Sequence, residues 1–303
     1  MAWGDPPTPL QINYIDPDGN NWNLSDTSMS GGYICAGIAG IEGLVLSMST
    51  IPMLDGTAIP NFYIPQPGSI ALAVLVARPE TTGDENDYYN LLDRMVRAFY
   101  NRRNELPKAA WLQIQRPDGS TRQLQVYTTA GLNTPEVALS NHSIYSVTLT
   151  TPDPYWTDLV PNSLIYKANI AAGILPLLPI PLGGSTVLGN AILTNQGSAL
   201  TWPTWTITGP GTPTIKNLLT NKQWSLNTSI PAGNVVQITT KPGTQMAINL
   251  TTQTNIWDQL VLGTSIRNLW PLMAGDNPIS IVMAGATAAT AVQVDWVNRW
   301  NRA

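Results

Sequence analysis

Apolar and polar residues alternate with a period of two along much of this chain, and with a period of 3.6 along one stretch only. Tyr88, Leu91, Leu92, Met95, Val96, Phe99 and Tyr100 recur at three- and four-residue spacing, which predicts an amphipathic helix. Asp84, Glu85 and Asp87 stand at its start, where the helix dipole favours negative charge, and Pro107 stops it. Trp111 to Gln115 then alternates as a strand, with Leu112 and Ile114 on one face. Arg116-Pro117-Asp118-Gly119 reads as a turn: Pro presets its φ, Asp bonds locally and Gly takes positive φ. Arg122 to Tyr127 returns, with Leu124 and Val126 facing Leu112 and Ile114. A third strand, Ile144 to Thr150, puts Tyr145, Val147 and Leu149 on one face. It ends in a corner, Pro152, Asp153, Pro154, Tyr155 and Trp156, whose two prolines forbid further sheet pairing.

Upstream, Leu10 to Ile15 alternates, Asp16-Pro17-Asp18-Gly19 turns the chain, and Trp22 to Leu24 returns. Gly31 to Gly43 holds five glycines, which predicts a bulged or looped segment between strands. Leu44 to Thr50 reads as a strand, and Asp55-Gly56 opens a proline-bearing loop. Ile70 to Ala77 is apolar on both faces and is expected to be a central strand covered on both sides. Residues 1–9 form a Trp/Pro arm, either disordered or laid across a neighbouring subunit. Residues 161–189 are a Pro/Gly/Leu-rich connector, expected to pack in a crease or against a partner. From Asn190 onward eight short strands recur every 8–12 residues or so, as a sandwich requires. The last of them is expected to pair with Ile279–Met283 through Gly285. The fold class is therefore mainly β. A first domain, 1–160, carries one packed α-helix, and a jelly-roll-like β-sandwich spans 190–303.

Charge adds a second layer. Only 11% of the 303 residues are charged, against roughly a quarter in ordinary soluble domains. Either partner subunits cover much of the surface or Ser, Thr, Asn and Gln make it polar. The net charge of −4 argues against nucleic-acid binding, which needs clustered Lys and Arg. No Lys or Arg precedes Arg78, and eight of the fifteen basic residues fall between Arg78 and Arg122. Asp16 and Asp18 on one side, and Arg94, Arg97, Arg102 and Arg103 on the other, are thus candidate subunit-interface residues. They either meet head to tail between copies of a homo-oligomer or neutralise each other within one chain. The lone Cys35 excludes an intrachain disulfide. With no signal-peptide pattern and only broken apolar stretches, the expectation is a soluble protein without membrane insertion.

Catalytic chemistry is thinly represented. His142 is the single histidine, no Gly-x-Ser-x-Gly elbow occurs, and Cys35 with His142 cannot make a zinc site. Asp16, Asp18 and Asn20 resemble a calcium loop but lack its remaining ligands. Asp153 and Asp158 flank Tyr155 and Trp156 like an acid pair beside a sugar platform, and a structural corner explains the same residues. No enzymatic step, metal or cofactor is expected. Seven of eleven tryptophans lie after residue 200. Trp202, Trp205 and Trp224 are candidates for stacking on glycans, with core packing as the alternative.

Taken in order, these pieces resemble a known family. The hairpin Leu112-x-Ile114-x-Arg116-Pro117-Asp118-Gly119-x-x-Arg122-x-Leu124-x-Val126 precedes the Pro152-Asp153-Pro154-Tyr155-Trp156 ending. Thr201-Trp202-Pro203-Thr204-Trp205, Ile230-Pro231-Ala232-Gly233 and Leu269-Trp270-Pro271-Leu272 follow. Their order and spacing resemble the distal tail (Dit-like) and related minor tail proteins of siphophages, bacteriophages with long non-contractile tails. The resemblance spans most of the chain. It implies an N-terminal belt domain assembling, typically as a hexameric ring, beneath the tail tube. A galectin- or carbohydrate-module-like sandwich would project outward. Implied partners are the tail tube protein, the tape measure protein and downstream tail-tip or baseplate hub proteins. The implied location is the virion, after synthesis in the host cytoplasm. A carbohydrate-binding tail protein touching the host envelope is the alternative. The family's early basic segment is here Ile51 to Gln66, uncharged except for Asp55.

Overall fold

A computed structural model of the chain describes residues 10–52, 58–77, 85–100, 102–103, 106–133, 135, 137–138, 142–167, 187–263 and 268–303. The arm at 1–9, the tip around Asp55 and connector residues 168–186 lie outside these. The chain forms two compact units, Met1–Leu159 with Trp300–Ala303, and Val160–Arg299.

In the first unit, β1 (Gln11–Ile15) and β2 (Asn21–Asn23) form a hairpin. After them come β3 (Tyr33–Ala39), β4 (Leu46–Pro52), β5 (Ala58–Pro65) and β6 (Gly68–Ala77). The helix α1 (Glu85–Phe99) leads into a short pair, β7 (Arg102–Arg103) and β8 (Leu106–Pro107). The remaining strands are β9 (Ala110–Gln115), β10 (Thr121–Ala130), β11 (Val137–Ala138), β12 (His142–Thr151) and β13 (Trp156–Asp158). The main sheet runs β2-β1-β9-β10-β12-β6-β3, with β11 on β12 and β13 on β10. Strand β10 joins its two halves. Thr121 to Val126 pair with β9, and Tyr127 to Ala130 pair with β12 across a register shift.

The two x-Pro-Asp-Gly sequences adopt one geometry. Gly19 and Gly119 take φ of 90° and 83°, and their N–H groups donate to Asp16 O and Arg116 O at 2.9 Å. Only glycine adopts that conformation cheaply, so each motif fixes its hairpin's register. The glycine-rich stretch forms strand β3, with a register shift between Cys35 and Gly37. The helix buries Tyr88, Leu91, Met95, Ala98 and Phe99, at roughly 1.5–3 kcal/mol for each large apolar side chain. Phe99 stacks on Tyr14 with ring centroids 4.3 Å apart, and Tyr88 Oη lies 2.6 Å from Ser143 Oγ. Val96 and Tyr100, expected on that stripe, are exposed; Ala98 occupies the angular position they would need. Strand β6 is central, fully buried on one face and partly covered on the other. Ile70, Leu72, Val74 and Val76 are buried, whereas Ala71 on the other face is exposed.

The second unit is a sandwich of two antiparallel sheets. One contains β14 (Asn162–Lys167), β16 (Thr204–Thr208), β19 (Val235–Thr239), β20 (Met246–Asn249), β21 (Thr254–Asn255) and β24 (Ala291–Trp296), in the order β14-β24-β16-β19-β20-β21. The other contains β15 (Val187–Asn195), β17 (Thr212–Asn217), β18 (Gln223–Leu226), β22 (Leu260–Val261) and β23 (Gly275–Ala284), in the order β15-β23-β17-β18-β22. Two expectations need correction. Asn162–Lys167, placed in the connector, is an edge strand on β24. Strands β23 and β24 do not pair, because Gly285 at φ 77° carries the chain from one sheet to the other.

Residues 300–303 return to the first unit through β25 (Arg299–Trp300), which joins β13. Arg122 explains the return. It falls in phase with Leu124 and Val126 on the inward face of β10 and is 4% exposed. Its guanidinium lies 3.7 Å from the centroid of the Trp300 ring, and Nη1 donates to Arg302 O at 2.9 Å. Trp300 Nε1 in turn donates to Asp158 Oδ1 at 2.6 Å, and Ala303 N to Ile41 O at 3.1 Å. Burial and the neighbouring Arg116 charge lower the Arg122 pKa, with Asp158 opposing them. A double-mutant cycle of Arg122→Ala and Trp300→Ala should give a coupling of about 1–2 kcal/mol in urea unfolding. Strictly additive losses would show that the ring carries no part of the cation's stabilisation.

Candidate functional site

The candidate site is a surface, and β4 and β5 make most of it. These strands pair with each other, Leu46 opposite Pro65 and Met48 opposite Tyr63, and with no other strand among the described residues. The base of the hairpin is tied by Gln66, whose N–H donates to Val45 O and whose Nε2 donates to Ser47 Oγ, at 2.8 and 2.9 Å. Beyond that tie several described side chains stand in solvent. Val45, Leu46, Met48 and Ile51 are each at least 50% exposed, and Ile64 is 41% exposed. Between Glu42 and Arg78 the sequence holds one charge, Asp55. A two-stranded ribbon is marginally stable in water, and an uncharged apolar one with open edges invites pairing. This segment, read from sequence as a strand and a proline-bearing loop, is where the apolar surface concentrates.

Helix α1 contributes a second patch. Tyr89, Val96 and Tyr100 are exposed on its outer side. At its end a cavity of about 680 Å³ is lined by Phe99, Tyr100, Pro107, Tyr127 and Leu132.

The charged interface candidates converge. Asp16, Asp18, Arg94 and Arg97 line one cleft of about 320 Å³, with Trp22 and Tyr33 at its wall. Arg94 sits over the Trp22 ring at 5.8 Å. The acidic turn and the arginine helix therefore share one patch of a single chain, rather than forming opposite faces. Arg102 and Arg103 lie on β7, and their side chains are outside the described residues. Asp16 is 5% exposed and fully engaged. Its Oδ1 accepts the Asp18 and Asn20 N–H groups at 2.9 Å, and its Oδ2 accepts Asn20 Nδ2 and Trp22 Nε1 at 2.9 and 3.2 Å. Burial alone would raise its pKa, but these hydrogen bonds outweigh burial and hold the carboxyl below the ordinary 3.8. A carboxylate so occupied closes a turn and is not a calcium ligand in waiting.

The corner residues are occupied in the same way. Thr151 Oγ1 donates to Asp153 O at 2.7 Å, Asp153 Oδ1 accepts Tyr155 N at 3.4 Å, and Pro152 and Pro154 frame them. Trp156 is buried at 3% exposure, so its ring is no sugar platform, and Asp158 is bonded by Trp300. Cys35 is half-buried, and desolvation pushes its thiol pKa up.

The glycan-stacking expectation fails at two of three residues. Trp205 and Trp224 are 0% exposed and pack edge to face with ring centroids 5.9 Å apart, and Trp270 lies 5.8 Å from Trp205. Period-two alternation on β16 and β18 puts both rings on the inward faces, where they fill the sandwich. Trp202 is half-buried.

No family model matches the chain, and no curated protein does. Solved structures do. The crystal structure of the SPP1 Dit protein (gp 19.1) aligns with a TM-score of 0.65 at 10% identity, covering 96% of this chain and 99% of that one. This chain has the Dit-like fold. A chain of the phage P2 baseplate in its activated conformation with Ca aligns with a TM-score of 0.52 at 10% identity, covering 98% and 100%. The same baseplate with Sr gives the same values. The SPP1 Dit is described as a paradigm of the hub adsorption apparatus in phages infecting Gram-positive bacteria. The Dit-like likeness thus extends over both units.

Asp16 supplies a pH test. Because its folded pKa lies below 3.8, its contribution to stability is complete above about pH 4 and is lost as pH falls through the folded value. Asp16→Ala should cost about 1–3 kcal/mol at pH 7. In urea titrations the gap from wild type should narrow toward pH 2; a gap constant with pH would rule the carboxylate out as the source.

Proposed function

We propose that this chain is a structural, non-enzymatic component of a phage tail tip. In this reading copies assemble through the first unit into a ring, with six as the expected number. The ring joins the tail tube to tail-tip or baseplate proteins around the end of the tape measure. The observation that carries the proposal is the β4–β5 hairpin, an uncharged ribbon with exposed apolar residues whose two strands pair with no other strand among the described residues. A heterologous, head-to-tail contact repeated around a closed ring satisfies every such edge with no copy left over. The Dit-like fold, over nearly the whole of both chains, supports placing that ring in a tail. The arginines of α1 and the acids of the β1–β2 turn then act at the rim of the contact as one mixed-charge patch, setting register more than strength.

Native mass spectrometry and light scattering test this on the purified chain, alone and with the tail proteins encoded beside it. The expected result is a closed oligomer, broken to monomers by Met48→Asp or Ile64→Lys. Because both side chains stand in solvent, those substitutions should leave the melting temperature of the monomer within about 2 °C. A wild-type chain that stays monomeric in every mixture overturns the proposal.

A further inference from the structure

The second unit carries a cleft that neither its core nor the assembly reading uses. It lies on the outward face of the five-stranded sheet, about 300 Å³ in volume. Inward-pointing Ile215 and Trp224 are fully buried, so the residues between them face out. Lys216 stands opposite Gln223, and Ser225 opposite both Thr214 and Val261. Asn221, in the β17–β18 turn with φ of 57°, and Asn268 complete the polar wall.

Five polar side chains therefore converge on one concavity: an ammonium, a hydroxyl and three amides. Lys216, Asn221, Gln223 and Ser225 spend none of their side-chain hydrogen bonds on other described residues. Asn268 spends only its Nδ2, donated to Leu262 O at 2.5 Å. The contrast with the Asp16 cleft is direct. There the carboxylate is consumed by its own turn; here donors and acceptors are presented and unspent.

We infer that this cleft is a binding site for a small hydroxyl-rich ligand bearing one anionic group, a sugar ring with a carboxylate or phosphate. Amides present a donor and an acceptor side by side, which suits neighbouring ring hydroxyls. Lys216 supplies a positive charge, and among the described lining residues no carboxylate repels an anion. The volume is at the low end of ligand pockets and suits one ring. No aromatic residue is among the described lining residues, so hydrogen bonds and charge carry the binding. The inference does not depend on ring assembly: a monomeric chain would bind equally.

The test is calorimetry and saturation-transfer NMR on the full chain. The probes are glucose 1-phosphate and galacturonic acid, with glucose and inorganic phosphate as controls. Both anionic sugars should bind with Kd on the order of 1 mM, and each control at least about tenfold more weakly. Lys216→Gln should erase the preference for the anionic sugars, and Gln223→Ala should weaken every sugar, both with unchanged melting temperature. Three outcomes overturn the inference. They are no sugar binding at about 20 mM, inorganic phosphate binding as well as the sugar phosphate, or undiminished binding by both variants.

Discussion

A guanidinium cannot be held dry without partners, and that constraint organises the first unit. Arg122 occupies an inward position on β10, the strand that joins the two halves of the main sheet. Stripped of water, its charge is tolerable because Trp300 covers it, Arg302 O accepts from it and the Asp158 carboxylate favours it. Trp300 is fixed by Asp158, and Asp158 is placed opposite Arg122 by the β10–β13 register. The corner from Pro152 to Trp156 exists to deliver β13 to that position. Residues far apart in the chain thus answer to one buried cation. Its partners lie in both pieces of the first unit, with 160–299 inserted between the two.

Local chemistry was the legible part of the sequence. Both Pro-Asp-Gly turns, the helix, and the alternation of β9, β10 and β12 are written in spacings of two to four residues. Longer-range facts were not. Arg122 was in phase with Leu124 and Val126, but an arginine on an inward face contradicts the usual placement, and its partners lie 180 residues away. The same distance hid the edge strand Asn162–Lys167, whose partner is β24. Pairing β23 with β24 looked natural because a glycine separates them. A turn of few residues can equally cross between sheets, and only the core decides. Trp205 and Trp224 went the same way: alternation gave their phase, but which phase faces inward is a tertiary fact. The polar cleft was invisible for a related reason, since Lys216, Gln223 and Asn268 meet only after three strands and a loop have been assembled.

Low charge, a bound on composition, acquires a location in the fold. The uncharged stretch between Glu42 and Arg78 contains the one ribbon with exposed apolar residues on open strands. Charges instead gather where α1 meets the β1–β2 turn, acids beside arginines. In protein interfaces generally an apolar strip forms the core and charged residues form the rim. Burial supplies the affinity in such an arrangement, and the charges select orientation.

The insertion also sets an order of events. Residues 300–303 complete the first unit, and a ribosome reaches them only after 160–299. At about 5–20 residues per second, the Arg122 side chain waits on the order of ten seconds for its ring and its carbonyl. A chain cut short anywhere in the sandwich keeps that cation unanswered and the main sheet unfinished. The stability of the part made first thereby depends on residues 300–303, and a copy lacking them is marked by its own weakness.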